Sequence, residues 1–468
     1  LFSLLLFFVP LIFWPSNSEL FEFNKMILTY FITGTITTLW LTQATINKKI
    51  SLQRTPLDLP IILFLTGQII TTIFSINPHT SIWGYYSRFH GGLASTISYL
   101  TLYYIFVSHF TKKENHHHLK FVLYSILSSA ALISIYGILE HFGIDKDIWV
   151  QDVQNRVFST LGQPNWLSAY LVAILPLPIY LALSSKNLKP KIYHLTFATL
   201  YLATIFFTKS RSGIATTGIV LGLIALQQLS AKIKYSYLLI IPIILTALYL
   251  KPSFIRQISP FGNNNLNELV QNDVLSRNGG SDSMAIRQVV WQGAIDLFKQ
   301  RPFLGSGLET FGYSYYWTRP ASHNLLSEWD FLYNKAHNEY LNLLATTGLI
   351  GFSTYIILIS SILLLLIKNL RQNQTTVPKH ALFIGYISIL ITNYFGFSVV
   401  PVALFFFLYP AFSLAASDSS LPLLNIDFNQ PLNKKHTPPP LTFLQYLIII
   451  TFFITLSFWT IFLGKHWV

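Results

Sequence analysis

Apolar stretches of about twenty residues, separated by short polar connectors, run along most of the chain, and each is long enough to cross ~30 Å of hydrocarbon as a helix. A transmembrane barrel would instead show blocks of about ten residues alternating between apolar and polar, which is not the pattern here. The runs predict about thirteen helical spans, at roughly 1–15, 26–46, 58–75, 93–110, 119–141, 165–184, 192–208, 213–230, 236–250, 339–367, 380–396, 398–416 and 442–463. The predicted fold class is therefore an all-α polytopic membrane protein with one large extracytoplasmic loop. Five parts follow: a transmembrane bundle over 1–250, the loop over 251–338, further transmembrane helices over 339–416, a cytoplasmic linker over 417–441 that ends in Pro438, Pro439 and Pro440, and a final helix over 442–468. The chain opens on Leu1 rather than Met, so Leu4 to Trp14 reads as a clipped first span rather than a signal peptide.

Composition fits that class. Hydrophobic residues make up 52%, charged residues 10%, and the mean hydropathy is +0.49 over 468 residues, more apolar content than one soluble core could hide. There is no cysteine, so neither disulfides nor thiolate metal sites are available. Placing the N-terminus in the cytoplasm puts more than half of the 31 Lys and Arg residues in inner connectors, among them Lys48, Lys49, Arg54, Lys112, Lys113, Lys120, Lys186, Lys189, Lys191, Lys232, Lys234, Lys368, Arg371, Lys379, Lys434 and Lys435. Outside the large loop, the outer connectors hold only Lys25, Arg88, Lys146, Arg156, Lys209, Arg211 and Lys465. The net charge of +13 then needs no nucleic acid to explain it, because basic inner loops beside anionic lipid account for much of it.

The large loop is too polar to span. It carries Gly/Asn-rich stretches and then the segment AIRQVVWQGAIDLFKQ, in which Ile286, Val289, Val290, Gly293 and Leu297 share one helical face, predicting a helix lying at the membrane surface. The aromatic-rich RPFLGSGLETFGYSYYWTRP follows. At the loop's end, KAHNEYLNLLATTGLIG puts a titratable His337 and Asn338 at the head of an apolar helix. If that helix is continuous, His337, Leu341, Leu344, Gly348 and Gly351 form one stripe, a polar head above a slot floored by small residues. The same spacing also fits an interfacial histidine above glycines that pack helices.

His337-Asn338, followed by Gly348 and Gly351, resembles the signature of the O-antigen ligase family of bacterial membrane glycosyltransferases. Three further segments agree in order: TLGQPNWLSAYL from Thr160 to Leu171, FTKSRSG from Phe207 to Gly213, and Arg287 through Trp291 to RPFLGSGLETF. The resemblance implies a GT-C-like architecture in the bacterial inner membrane and a reaction on its extracytoplasmic side. There, a glycan would leave a polyprenyl diphosphate carrier for the hydroxyl of a lipid, glycan or protein acceptor. It implies no cofactor and no metal.

Such a transfer needs a base for the acceptor hydroxyl and cations for the departing diphosphate. An imidazole titrates near neutrality, making His337 the candidate base, with Asn338 beside it. Arginine binds phosphate oxygens in pairs, so Arg211 beside Lys209, together with Arg287, are the candidate clamp, and Arg88 and Arg156 are further outer-face candidates for binding substrate. Snorkelling at a helix end is the alternative for Arg211, and headgroup contact for Arg287. Asp145-Lys146-Asp147 superficially matches a metal-binding acidic motif, and His116 to His118 reads as a solvated cytoplasmic face. No Walker A sequence is present. Ligase, polymerase of the same lipid-linked glycan and oligosaccharyltransferase to protein all stay open. A non-enzymatic flippase or transporter would instead show related halves and charges near mid-bilayer, and the sequence shows neither.

Overall fold

The computed structural model describes residues 1–17, 19–229, 283–370, 378–417 and 422–427. The predicted spans at 236–250 and 442–463, the first part of the outer loop at 251–282 and residues 428–441 of the linker lie outside the described residues.

Within them the protein is mostly helical. Helices α1 (Phe2–Leu11), α2 (Glu22–Ile46), α3 (Asp58–Ile73), α4 (Pro78–Trp83), α5 (Leu93–Phe110), α6 (His116–His141), α7 (Pro164–Ile174), α8 (Pro176–Ser184), α9 (Leu188–Phe207) and α10 (Arg211–Leu229) precede α11 (Ser283–Gln300), α12 (Phe311–Thr318), α13 (Glu339–Leu370), α14 (Lys379–Tyr394) and α15 (Val400–Ala415). Among the described residues, three helical units are long and apolar enough to cross a membrane: His117–His141, Pro164–Ser184 and Glu339–Leu370. The second of these is interrupted between α7 and α8, where Pro176 has no N–H to continue the ladder. One short helix begins as its sequence dictates: α4 has Pro78 in its first turn, and the Asn77 side chain accepts from the Thr80 N–H at 3.1 Å.

The main core is an apolar helix bundle in which α1 packs on α6, α3 on α13, α5 on α15, and α9 on both α6 and α8. A second, smaller core forms where α11 meets α12 and the start of α13. The predicted apolar face of α11 is there, with Ile286, Val289, Val290 and Leu297 buried. Its covering differs from the expectation of a membrane-surface helix. Phe311, Tyr315, Tyr333, Leu341 and Ala345 close over it, so the face packs against protein.

One element was not expected. Residues 423–427 of the predicted linker form a strand, β2 (Leu423–Asp427), antiparallel to β1 (Lys49–Gln53), with Lys49 opposite Asp427 and Gln53 opposite Leu423. The pairing brings together two connectors that the charge pattern assigns to one side of the membrane.

Candidate active site

Two of the sequence segments singled out above are halves of a single structural feature. Helix α13 is broken at Gly348, whose φ of 58° and ψ of −165° lie in a region that only glycine occupies without cost. The break frees backbone groups, and RPFLGSG fills it. The carbonyls of Pro302 and Phe303 accept from the Leu349 and Ile350 N–H groups at 2.8 and 3.1 Å, and the Gly307 N–H donates to the Thr346 carbonyl at 2.7 Å. Gly305 lies so close that a Cβ there would stand 2.5 Å from the Thr347 nitrogen. The continuous stripe expected from His337 to Gly351 is thus corrected: Gly348 is the notch that receives another segment's backbone, and His337 precedes the helix with a left-handed φ of 52°.

The chain entering α13 is tied at several points. Asn338 is buried, and its Oδ1 accepts from the Tyr340 and Leu341 N–H groups at 3.0 and 3.1 Å, making it the cap of the helix. The Ala336 N–H donates to Asn342 Oδ1 at 3.2 Å. Between these anchors the partly buried His337 ring meets Tyr333 and Phe397 edge-on, each at a centroid distance of 5.6 Å. Burial, then the positive charges of Arg287 and Arg88, push its imidazole down to about 3, so the ring is neutral at physiological pH. Arg88 stacks over Trp166 at 5.1 Å and over Phe397 at 5.5 Å, and its Nε has no hydrogen-bond partner among the described residues.

The remaining cations gather in a second patch. Lys209 bonds to Asn155, and Arg156 Nε donates to the Thr208 carbonyl at 3.2 Å. Burial and the neighbouring Arg211 charge lower the Arg156 guanidinium below its ordinary value. Here two more sequence segments interlock: Ser210 Oγ donates to Asn165 Oδ1 at 2.8 Å, and Gly213 lies against Ser168. Since Trp166 follows Asn165, the two patches are linked through the TLGQPNW segment. The structure therefore groups His337 with Arg287 and Arg88, and Arg211 with Arg156 and Lys209. Of the acidic loop motif only Asp145 is turned inward, where its Oδ2 accepts from Tyr136 Oη at 2.6 Å and Trp149 Nε1 at 2.5 Å, while Lys146 and Asp147 are exposed.

Some neighbours of the site were not singled out in the sequence. Lys335 and Glu309 form a buried ion pair, and Lys335 Nζ lies 5.6 Å from the centroid of the Phe397 ring. Both line a cavity of about 80 Å³ with His90, Gln68, Glu339 and Tyr355. A cavity that size has room for several waters, and polar groups face it: both side-chain atoms of Gln68 and Oε2 of Glu339 lack partners among the described residues. A signal was available, because Glu309 and Lys335 are isolated charges within otherwise apolar or neutral motifs, GLETF and KAHN.

Comparison with known proteins bears on the same segments. An uncharacterized protein of Haemophilus influenzae is 22% identical over 261 residues, an alignment that covers 54% of this chain and 62% of the relative's length. Residues 195–356, which hold FTKSRSG, the block from Arg287 to Phe311 and the His337 signature with its notch, match the O-antigen ligase family.

Proposed function

We propose that the protein is a membrane glycosyltransferase that moves a glycan from a polyprenyl diphosphate to an acceptor hydroxyl on the extracytoplasmic side of the bacterial inner membrane. The observation that carries this reading is His337 packed against the Phe397 ring that also carries Arg88, with the positive charges of Arg88 and Arg287 acting on its imidazole. The family match over residues 195–356 supports it. In the proposed reaction the acceptor oxygen bonds to the anomeric carbon and its proton passes to a ring nitrogen of His337. The bond from that carbon to the diphosphate oxygen breaks, and the electron pair stays with the diphosphate. Arg287 and Arg88 hold the charge that builds there, since a planar guanidinium binds phosphate oxygens in pairs and keeps its own charge in a partly dry site.

The same geometry makes the base conditional on the donor. Without a bound anion, the two arginines oppose protonation of His337. A diphosphate seated between them would offset that opposition and raise the basicity of the imidazole when a proton is to be taken. The second patch of Arg211, Arg156 and Lys209 suits a further stretch of the donor headgroup or the acceptor. The test is to incubate purified protein with polyprenyl diphosphate-linked glycan and separate lipid, protein and glycan acceptors, and to ask which gains sugar. Transfer to lipid or protein marks a ligase, and lengthening of the lipid-linked glycan marks a polymerase. No sugar gained by any acceptor would sink the proposal.

A further inference from the structure

We propose that the buried Lys335–Glu309 ion pair is the positioning device for His337, locking the chain on either side of the notch so that the imidazole faces Arg287 and Arg88. The inference rests on the reading of His337 as the base. A left-handed φ at a residue other than glycine persists only where the surroundings over-determine it, and His337 is such a residue at 52°. Its C-terminal side is fixed by the Asn338 cap. On its N-terminal side, the charged anchor is Lys335.

Glu309 reaches three segments at once. It follows Gly307, which is bonded into the notch at Thr346, and it too has a left-handed φ, of 58°. Its carboxylate lies against the backbone of Gly91, so close that a Cβ there would collide with it, and Gly91 belongs to the loop that carries Arg88. The same carboxylate takes the Lys335 ammonium. One residue thus joins the notch, through its backbone at Gly307, to the Arg88 loop and the His337 loop, through its carboxylate. Phe397 completes the arrangement, because Lys335, Arg88 and His337 all pack around its ring at 5.5–5.6 Å. Both partners of the pair are less than 8% exposed, so removing one strands the other's charge in a buried site, while removing both does not. His90, Glu339, Tyr99 and Tyr355, which line the same cavity, are the other titratable groups facing the pair among the described residues.

The test reads His337 directly. Diethyl pyrocarbonate acylates neutral imidazole, and the rate at His337 can be followed by peptide mass spectrometry from pH 5 to 8. The variants are Glu309→Gln/Lys335→Met, Glu309→Asp and Lys335→Arg, with Lys299→Ala in an exposed surface pair as the control. The double variant should change the His337 rate about fivefold or more and slow glycan transfer about tenfold through kcat, with KM for the lipid-linked donor little altered. Lys335→Arg, which keeps the pair, should track the wild type. A wild-type acylation profile in the folded double variant would overturn the proposal. If that variant does not fold, an unchanged profile in Glu309→Asp does so equally. Failure of the wild type to transfer glycan would count against the proposed function while leaving the acylation comparison intact.

Discussion

Replacing Gly348 by alanine tests whether the notch organises the site. Its φ of 58° with ψ of −165° is essentially a glycine-only conformation, and forcing a Cβ into it costs roughly 1–3 kcal/mol. The Cβ would also stand 2.5 Å from the Phe303 carbonyl oxygen and 2.6 Å from the Leu304 nitrogen, and both are backbone atoms that cannot rotate away. Relief requires the inserted segment to lift, which breaks the bonds from Leu349 and Ile350 at about 1 kcal/mol each. The expected loss is therefore roughly 3–5 kcal/mol. Gly218, within α10, is the control: a Cβ there meets nothing within 4 Å among the described residues, and alanine in a helix is better than glycine by up to about 1 kcal/mol. Thermal unfolding of both variants in the same detergent and at the same scan rate should show Gly348→Ala well below the wild type and Gly218→Ala level with it or above. Equal midpoints for the two would refute the notch as a structural device.

Four further outcomes are expected. His337→Ala should lose roughly 10²-fold or more in transfer while still binding the lipid-linked donor, and near-normal transfer by folded protein would return this histidine to an interfacial role. Arg88→Lys keeps the charge but loses the planar stack on Trp166 and Phe397, so donor binding should weaken more than in Arg211→Lys, as measured by direct binding of the donor. Because folding holds the His337 pKa near 3 against 6.5 in the unfolded chain, the associated stability is intact above pH 6.5 and falls as pH drops from 6.5 towards 3, by at most about 1.4 kcal/mol per unit; His337→Asn should flatten that decline in unfolding scans. Cysteines placed at 112 and 189 should react with impermeant reagent only from the cytoplasmic side and one at 319 only from outside, a clean measurement in a chain without native cysteine.

Helix positions were legible because an apolar run reports its own length: residues 93–110 were expected to be a helix and α5 covers Leu93–Phe110. Periodicity also identified the buried face of α11, but it carries no information about what covers that face. The notch was illegible for a different reason. A period of 3.6 presumes an unbroken helix, whereas Gly348 is fixed by the backbone of Pro302 and Phe303, more than forty positions earlier, through bonds that no local pattern encodes. The β1–β2 pair fails the same way, since each strand has only five residues and its partner lies at the far end of the chain. Among the site residues, His337 and Arg287 were read from their motifs. Arg88 was one of several outer cations, and its place beside His337 depends on how the loop before α5 meets the notch.

The role of Phe397 ties these observations together. An aromatic face attracts a cation without accepting its N–H groups in the manner of a carboxylate, so a guanidinium stacked on a ring keeps its donors for another partner. Arg88 has that arrangement, lying over Phe397 and Trp166 with Nε unbonded among the described residues. Lys335, on the same ring, is instead neutralised by Glu309 and adds little net charge. The ring thereby carries one cation neutralised by Glu309 and one stacked guanidinium, at nearly equal distances from its own centroid. In the proposed reaction an anion bound by Arg88 and Arg287 would relieve the repulsion each exerts on a protonated imidazole, which would make donor binding and the basicity of His337 two sides of one electrostatic equilibrium.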